Sequence, residues 1–579
     1  MRLLILYGSQ TGTAQDIAEN IWRTSKQYNF SGPVLPLDEY KIENLIYEEL
    51  VLFVVATTGQ GDEPDNMKKF WKFLCRKSLP NNSLAHMKFG LLGLGDSSYI
   101  KFNFVAKRLF KRLVQLSAEP LLHLGLCDDQ HDHGLYATYF SWMKEFWNIL
   151  QIDIITKQVT KSVFKLKIIE VGNNIQDQNL NLEYLKWPYN KKFSNFKLIQ
   201  NYRATTKDHF QDVRHIKFRY PSNVIWKPFD IFDVRPWNCD KVVSKFFEIL
   251  SENKVPIKRQ TFVSCETIDQ EMEVPICYRQ GLFIESAAKY VWDLTAVARQ
   301  KTFELLSVNC TDELEKEKLL ELCSAEGLDE MIKYASRPRR NILEVLNDFP
   351  HATSQITLPI LFEMFDVIKT RSFSIASCPE EGSLRLLVAV VEYKTILKEP
   401  RKGLCSNWLK SLRINDEVLG CIRSGTMNIP NDSTPLVLIG PGTGIAPFRN
   451  YLIKVEHEIK LLPHKDRRKI IVFFGCRNRL KDFYFKNDFA RLEQRNIAKF
   501  YYAFSRDQEH KVYVQHLIKQ QQDTLRDIIL LKNGIILVAG SSNNMPKQVR
   551  EVFCEIFGNP NYFEEVLIKS GRYQEEVWS

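Results

Sequence analysis

The residues Arg371-Ser372-Phe373-Ser374-Ile375-Ala376-Ser377 alternate in the manner of a strand that presents a cation, an aromatic ring and hydroxyls in order. Such a strand could hold a flavin. The Arg371 guanidinium can fork onto a diphosphate, Phe373 can lie against an isoalloxazine ring, and Ser374 can hydrogen-bond near the reactive N5 edge. A second group, Ser505-Arg506 followed by Lys511-Val512-Tyr513-Val514-Gln515, gathers two cations, hydroxyls and a ring around one loop. Charge-assisted donors of this kind suit the 2′-phosphate of NADPH, whereas NADH would favour a carboxylate for its free ribose hydroxyl. A third, Ser9-Gln10-Thr11-Gly12-Thr13-Ala14, opens a helix and could receive a phosphate on backbone N–H groups. It carries no lysine, which argues against a P-loop nucleotidase. In isolation the first of these stretches also fits an ordinary sheet edge and the third a capped strand-to-helix turn.

The flanking elements weigh against the ordinary readings. Leu3 to Gly8 reads as a short apolar strand, and the helix after it continues through Ile17, Ile21 and Trp22. Two further strands end in loops: Leu50 to Val55 leads into Ala56-Thr57-Thr58-Gly59, and Phe89 to Leu92 into Gly93-Leu94-Gly95-Asp96-Ser97-Ser98-Tyr99-Ile100-Lys101-Phe102-Asn103. Loops at the carboxyl ends of parallel strands are where an open doubly wound sheet binds its ligand. A strand expected over Leu121 to Leu126 ends in Cys127 to His133, whose His and Asp residues are read as loop and exposed acidic surface rather than a metal site. The helix Val105 to Leu113, with Lys107, Arg108, Lys111 and Arg112, is read as a solvated amphipathic face. From about Asp153 to Lys192 the pattern loses its period and reads as a tether. Strands resume at Phe196 to Arg203 and His215 to Tyr220, and helical periods follow over Lys241 to Leu250, Lys289 to Phe303 and Asp312 to Cys323. Arg337-Pro338-Arg339-Arg340 opens a helix at Ile342, and a strand is expected over Leu386 to Val391. Gly403-Leu404-Cys405-Ser406 then starts a helix suited to a diphosphate. Leu436 to Ile439, the turn Gly440-Pro441-Gly442-Thr443-Gly444 and the helix after it read as a dinucleotide unit, with a further strand over Ile470 to Gly475.

A chain of 579 residues is too long for one core, so three or four domains are expected. The net charge of +10 is spread among helices and loops with carboxylates interspersed, which argues against nucleic acid as the partner. Twelve cysteines without C-x-x-C pairing imply reduced thiols. The longest apolar runs, such as Leu50 to Ala56, are strand-length, so no membrane span is expected. A cytoplasmic location and a monomeric state are the expectations.

The whole chain resembles the NADPH-dependent diflavin reductases of the cytochrome P450 reductase family. The resemblance implies a multidomain α/β protein: a flavodoxin-like doubly wound domain over 1–152, a hinge over 153–193, a β-barrel FAD domain over 194–428 with a helical insertion at about 239–345, and a ferredoxin-reductase-like NADP-binding α/β domain over 429–579. It assigns the FMN phosphate to Ser9 to Ala14, the edge of the FMN ring to Ala56 to Gly59, and its wrapping to Leu94 to Asn103, with Tyr99 stacked and Asp129 alongside. It assigns FAD to Arg339, Arg371 to Ser374 and Gly403 to Ser406, and NADPH to the turn at Thr443 and to Ser505, Arg506, Lys511 and Tyr513, with Val512, Val514 and Gln515 completing that loop. Trp578 resembles the ring that covers FAD. Glu576 stands where the family usually has aspartate near Ser374, and Ala539 where it often has cysteine. The resemblance implies that hydride passes from NADPH to FAD and that single electrons pass on through FMN. Within the family the chain most resembles its cytosolic members, a likeness that implies an anamorsin-type iron–sulfur protein as acceptor in cytosolic iron–sulfur cluster assembly. The alternatives are a soluble reductase of a haem protein or of methionine synthase, or a flavin-binding redox sensor with little turnover.

Overall fold

The computed structural model describes residues 1–59, 61–99, 101–150, 164–169, 193–267, 275–430, 432–458, 468–542, 544–558 and 562–578. The chain divides into two units, one of Met1–Asn190, Trp237–Lys369 and Thr395–Glu399, the other of Lys191–Pro236, Thr370–Lys394 and Pro400–Ser579.

In the first unit the strand β1 (Leu4–Gly8) is buried along its whole length, as a strand covered by helices on both faces must be. With β2 (Val34–Pro36), β3 (Leu50–Ala56), β4 (Lys88–Gly95), β5 (Glu119–Pro120) and β6 (Gly125–Asp128) it forms a wholly parallel sheet. The order is β2-β1-β3-β4, with β5 and β6 both paired to β4. The two-residue period sends alternate side chains into separate cores. Ile5, Leu52 and Val54 pack with the helix α1 (Thr13–Gln27) and with Tyr136–Ile149, while Leu6, Val51 and Phe53 pack with Lys68–Leu74 and Phe104–Gln115. Each such side chain contributes about 1.5–3 kcal/mol on burial. The strand expected over Leu121 to Leu126 begins only at Gly125. There a β-carbon would lie 2.5 Å from Leu92 Cδ2 and 2.9 Å from the Trp142 ring, so glycine is what lets the chain close against β4.

Most of the rest of this unit is the segment Trp237–Lys369, which runs beyond the 239–345 expected for the helical insertion and is called the insertion below. Its helices Asp240–Glu252, Glu313–Cys323 and Ile342–Asp348 lie where the period places them. All surround a core in which Trp292 stacks on Phe365 with ring centroids 5.5 Å apart and donates Nε1–H to Tyr278 Oη at 3.0 Å. The helix expected over Lys289 to Phe303 is broken. The turn Ala287–Val291 stops at Trp292, which bridges Val367, and Asp293 accepts from both the amide and the hydroxyl of Thr295. That side-chain acceptor competes with the helical ladder, which resumes only over Gln300–Val308. Most of the segment expected as a hinge lies outside the described residues; within it, Phe164–Ile169 forms a strand antiparallel to Phe262–Thr267 of the insertion.

In the second unit six antiparallel strands follow the order Arg371–Ser374, Ile231–Arg235, Glu417–Arg423, Ser194–Arg203, Val213–Arg219, Leu384–Ala389. The Ala376 amide donates to the Arg385 carbonyl at 2.8 Å, drawing the first and last strands together as a barrel requires. A five-stranded parallel sheet follows, ordered Lys499–Phe504, Ile470–Cys476, Leu436–Ile439, Ile535–Ser541, Tyr573–Trp578. Arg449, just beyond the glycine turn, joins the two sheets. Its buried guanidinium pairs with Glu381 at 2.9 Å and Asp488 at 2.6 Å and donates to the Ala376 carbonyl at 2.7 Å, while Asn450 donates to the Ile375 carbonyl at 3.2 Å. The residues directly after Ser374 are therefore held by the nucleotide sheet, through a buried charge whose burial cost is offset by two carboxylates.

Candidate functional site

The phosphate loop of the first unit is braced by its own polar side chains. The Ser9 amide donates to Asn66 Oδ1 at 2.9 Å, Gln10 exchanges two hydrogen bonds with Asp65, and the Gly12 amide donates to Ser9 Oγ at 2.9 Å. Ser9 and Gln10 thus shape the loop from within. Gly12 has φ 99°, a left-handed conformation glycine adopts freely, and α1 has no side-chain cap. The first N–H groups of α1, at Thr13 and Ala14, are left to a ligand, as a phosphate site requires. Asp65 and Asn66 were legible in the sequence only as turn formers.

The ring-edge loops are fixed in the same way. The Thr57 amide donates to the Leu94 carbonyl at 3.2 Å and its hydroxyl accepts from the Val105 amide at 3.2 Å, which ties Ala56 to Gly59 against the next loop. Asp96 accepts the Ser98 amide at 2.8 Å, Asp128 accepts the amides of Ser97 at 2.9 Å and Gln130 at 3.0 Å, and the Asp129 amide donates to Gly95. Tyr99, Lys101 and Phe102 are half-buried on the rim, while Ile100 lies outside the described residues. Asn103 is fully buried. It donates Nδ2–H to the Cys127 carbonyl at 3.0 Å, and a β-carbon on Gly95 would come within 2.9 Å of its Cγ, so it positions the loop from beneath. Asp129 lies near Arg339, which acts on its charge.

In the second unit Arg371, Ser372, Phe373 and Ser374 pair with Val234, Asp233, Phe232 and Ile231. Alternation puts Arg371 and Phe373 on one face and the two serines on the other. Ser372 Oγ donates to Asp233 Oδ1 at 2.6 Å, and Arg423 binds the same carboxylate at 3.2 Å. The Cys405 thiol is pushed up to about 12 by burial and eased down by Arg371, which puts the helix start Gly403 to Ser406 beside that guanidinium. Ser406 Oγ accepts the Val391 amide at 3.0 Å, and a β-carbon on Gly403 would lie 2.9 Å from Val391, so this turn too is braced from behind. Its Leu404 amide and those after it remain to receive a diphosphate.

The terminal strand Tyr573–Trp578 brings the last residues to this barrel. Glu576 lies opposite Ala539 and Trp578 opposite Ser541, on the same face of the strand. Ser374 Oγ donates to Glu576 Oε1 at 3.5 Å. Burial pushes the Glu576 carboxyl up to about 7, against Arg423 and the Ser374 hydrogen bond, which draw it down. Its Oε2 is buried without a hydrogen-bond partner among the described residues, as fits a site completed by a ligand donor. Trp578 packs, half-buried, against the core of the nucleotide sheet, and the Ser542 amide donates to its carbonyl at 2.8 Å.

The nucleotide sheet reverses its order at Leu436–Ile439, the switch point at which such sheets bind dinucleotides. The turn bearing Thr443 leaves that strand. Gly442 has φ 58°, and a β-carbon on Gly444 would strike the Ala539 carbonyl. On the next strands the Ser505 amide donates to the Cys476 carbonyl at 2.9 Å and the Arg506 amide to the Arg477 carbonyl at 2.8 Å. Burial lowers the Arg477 pKa first, and then Arg506; Tyr513 acts on it in the opposite sense. Arg477 and Arg506 thus converge with Tyr513, an arrangement that suits an anion between them. Lys511 and Tyr513 are exposed, Val514 is buried in the core, Val512 packs beside it, and Gln515 donates to Gln548 at 2.9 Å. Arg477 and Arg423 are the residues sequence reasoning left out of the site. Arg423 ends one largely buried strand and Arg477 directly follows another, the one signal that could have drawn attention to them.

Residues 5–142 match the flavodoxin family, 189–408 the FAD-binding domain and 438–551 the oxidoreductase NAD-binding domain. An NADPH-dependent diflavin oxidoreductase 1 of Danio rerio is 41% identical over 603 residues, covering 100% of this chain and 99% of its own length. Proteins of the same name from Schizosaccharomyces pombe and Arabidopsis thaliana are each 34% identical, again over 100% of this chain and 99% of theirs. Among the described residues no helix is long and apolar enough to cross a membrane. Three cofactor modules in this order, each with a cradle of matching chemistry, call for FMN, FAD and NADPH, and the chain belongs to the family of NADPH-dependent diflavin oxidoreductases.

Proposed function

We propose that the chain passes electrons from NADPH through FAD and FMN to a cytosolic one-electron acceptor, an anamorsin-type iron–sulfur protein of cytosolic iron–sulfur cluster assembly, and that it does so as a cytoplasmic monomer. When bound, nicotinamide gives up two electrons together and the two flavins release them singly. The observation that carries the enzymatic reading is the Ser374 hydroxyl set 3.5 Å from a Glu576 carboxyl that titrates near neutrality. Such a pair can hold or move a proton at Glu576 beside the flavin edge. Arg371 and the helix start at Gly403 would hold the FAD diphosphate, and Trp578 would cover the ring and exclude water. Ser505, Arg506, Lys511 and Tyr513, joined by Arg477, grip the 2′-phosphate and select NADPH. In the first unit the α1 amides take the FMN phosphate while Ala56 to Gly59 and Leu94 to Phe102 enclose its ring.

The acceptor rests on resemblance to the cytosolic members of the family, which the segments Ala56 to Asp62 and Lys511 to His516 resemble. Stopped-flow mixing of NADPH-reduced protein with an oxidised anamorsin-type protein, and separately with cytochrome c, tests it. Rapid, saturable bleaching of the cluster supports the assignment. Reduction of cytochrome c with the cluster left oxidised retains the diflavin activity and removes the partner.

A further inference from the structure

Lys369 reaches the phosphate loop from outside the flavodoxin sheet. A β-carbon built on Gly12 would coincide with its Nζ, so the missing side chain of that glycine makes the room the ammonium occupies. Lys369 stands at the end of the helical insertion, on a firm base: Ile368 is fully buried and donates its amide to the Val291 carbonyl at 2.7 Å, and Val367 bridges Trp292. The ammonium lies at the N-terminal end of α1, where the first amides already concentrate positive charge. Arg299 of the insertion pairs with Asp16 in the first turn of α1, and Lys301 binds Asp366 at 2.8 Å. Burial, then Arg299 and Lys301, draw the Lys369 pKa down to about 8 against the carboxylates of Asp366 and Glu19. The ammonium already faces Asp366, and a flavin phosphate held on the α1 amides would bring a dianion to its side as well, a charge-assisted contact at a helix end that is itself positive. Arg299 assists by neutralising Asp16, which would otherwise repel that phosphate.

We propose that Lys369 is a ligand of the FMN phosphate supplied by the insertion, so that cofactor occupancy clamps the flavodoxin module onto the insertion; this rests on the reading of Ser9 to Ala14 as the phosphate site. The test uses the full chain, loaded with FAD, stripped of FMN and titrated with FMN or riboflavin by fluorescence quenching. Lys369→Met should weaken FMN by roughly tenfold or more, the loss of one charge-assisted hydrogen bond, and leave riboflavin within about twofold. Lys369→Arg should restore most of the FMN affinity. FMN should also slow hydrogen exchange of the Ile368 amide in the wild type and do so less in Lys369→Met. Equal weakening of both flavins, or unchanged FMN affinity, overturns the proposal. Thr11→Glu places a carboxylate on the loop itself. If it leaves the preference for FMN over riboflavin intact, the phosphate-loop reading falls. If it abolishes that preference while Lys369→Met does not, only the role of Lys369 falls.

Discussion

Replacing Glu576 with glutamine removes a titration while keeping shape and hydrogen-bonding reach. Burial raises the carboxyl from the ordinary 4.5 to about 7. A shift of about 2.5 units corresponds to roughly 3 kcal/mol of preference for the protonated form. The folded carboxyl binds its proton more tightly than the unfolded one, so the stability it contributes is fully present below pH 4.5 and is lost as pH rises through 7. The thermal midpoint of the wild type should therefore fall relative to Glu576→Gln between about pH 4.5 and 7, with the gap constant above. The same group sets a kinetic signature. FAD reduction by NADPH, followed by stopped-flow absorbance, should titrate near pH 7 in the wild type and lose that inflection in the variant. An inflection that survives unchanged in Glu576→Gln would show that the titrating group lies elsewhere and would remove Glu576 from the proton path.

Other perturbations test the remaining geometry. Arg506→Ala and Arg477→Ala should each raise KM for NADPH by about tenfold or more and leave KM for NADH nearly unchanged, because each removes a charge-assisted contact to the 2′-phosphate; parallel changes for both coenzymes would place these cations elsewhere. Trp578→Ala should narrow the preference for NADPH over NADH and alter the release of the oxidised coenzyme, as read from steady-state rates with both; unchanged kinetics would count against its covering role. Arg449→Leu removes the shared cation of Glu381 and Asp488, which keep Arg385 and Arg491, and should destabilise the second unit by about 1.5–3 kcal/mol in denaturant unfolding. Trp292→Ala should cost the insertion about 3–5 kcal/mol, the range for emptying a large aromatic site.

Local chemistry was legible in the sequence wherever one short stretch carries it. The buried runs Leu4–Gly8 and Leu50–Ala56 could only be strands covered on both faces, and the glycine turns after Tyr7 and Ile439 had to precede helices. These readings depend on backbone period and side-chain type, which the sequence determines by itself. Only the tertiary structure decided which distant residues meet. It broke the helix at Trp292, because a bridge to Val367 outweighs local helical period. It opposed Glu576 to Ala539 and set it beside Ser374, joined Arg423 to Asp233 across the barrel wall, placed Arg339 near Asp129, and brought Lys369 to Gly12. The physical reason is that these contacts depend on strand register and on the packing of separate cores, where a shift of one residue turns a side chain to the opposite face, and no property of either partner's own neighbourhood fixes that register.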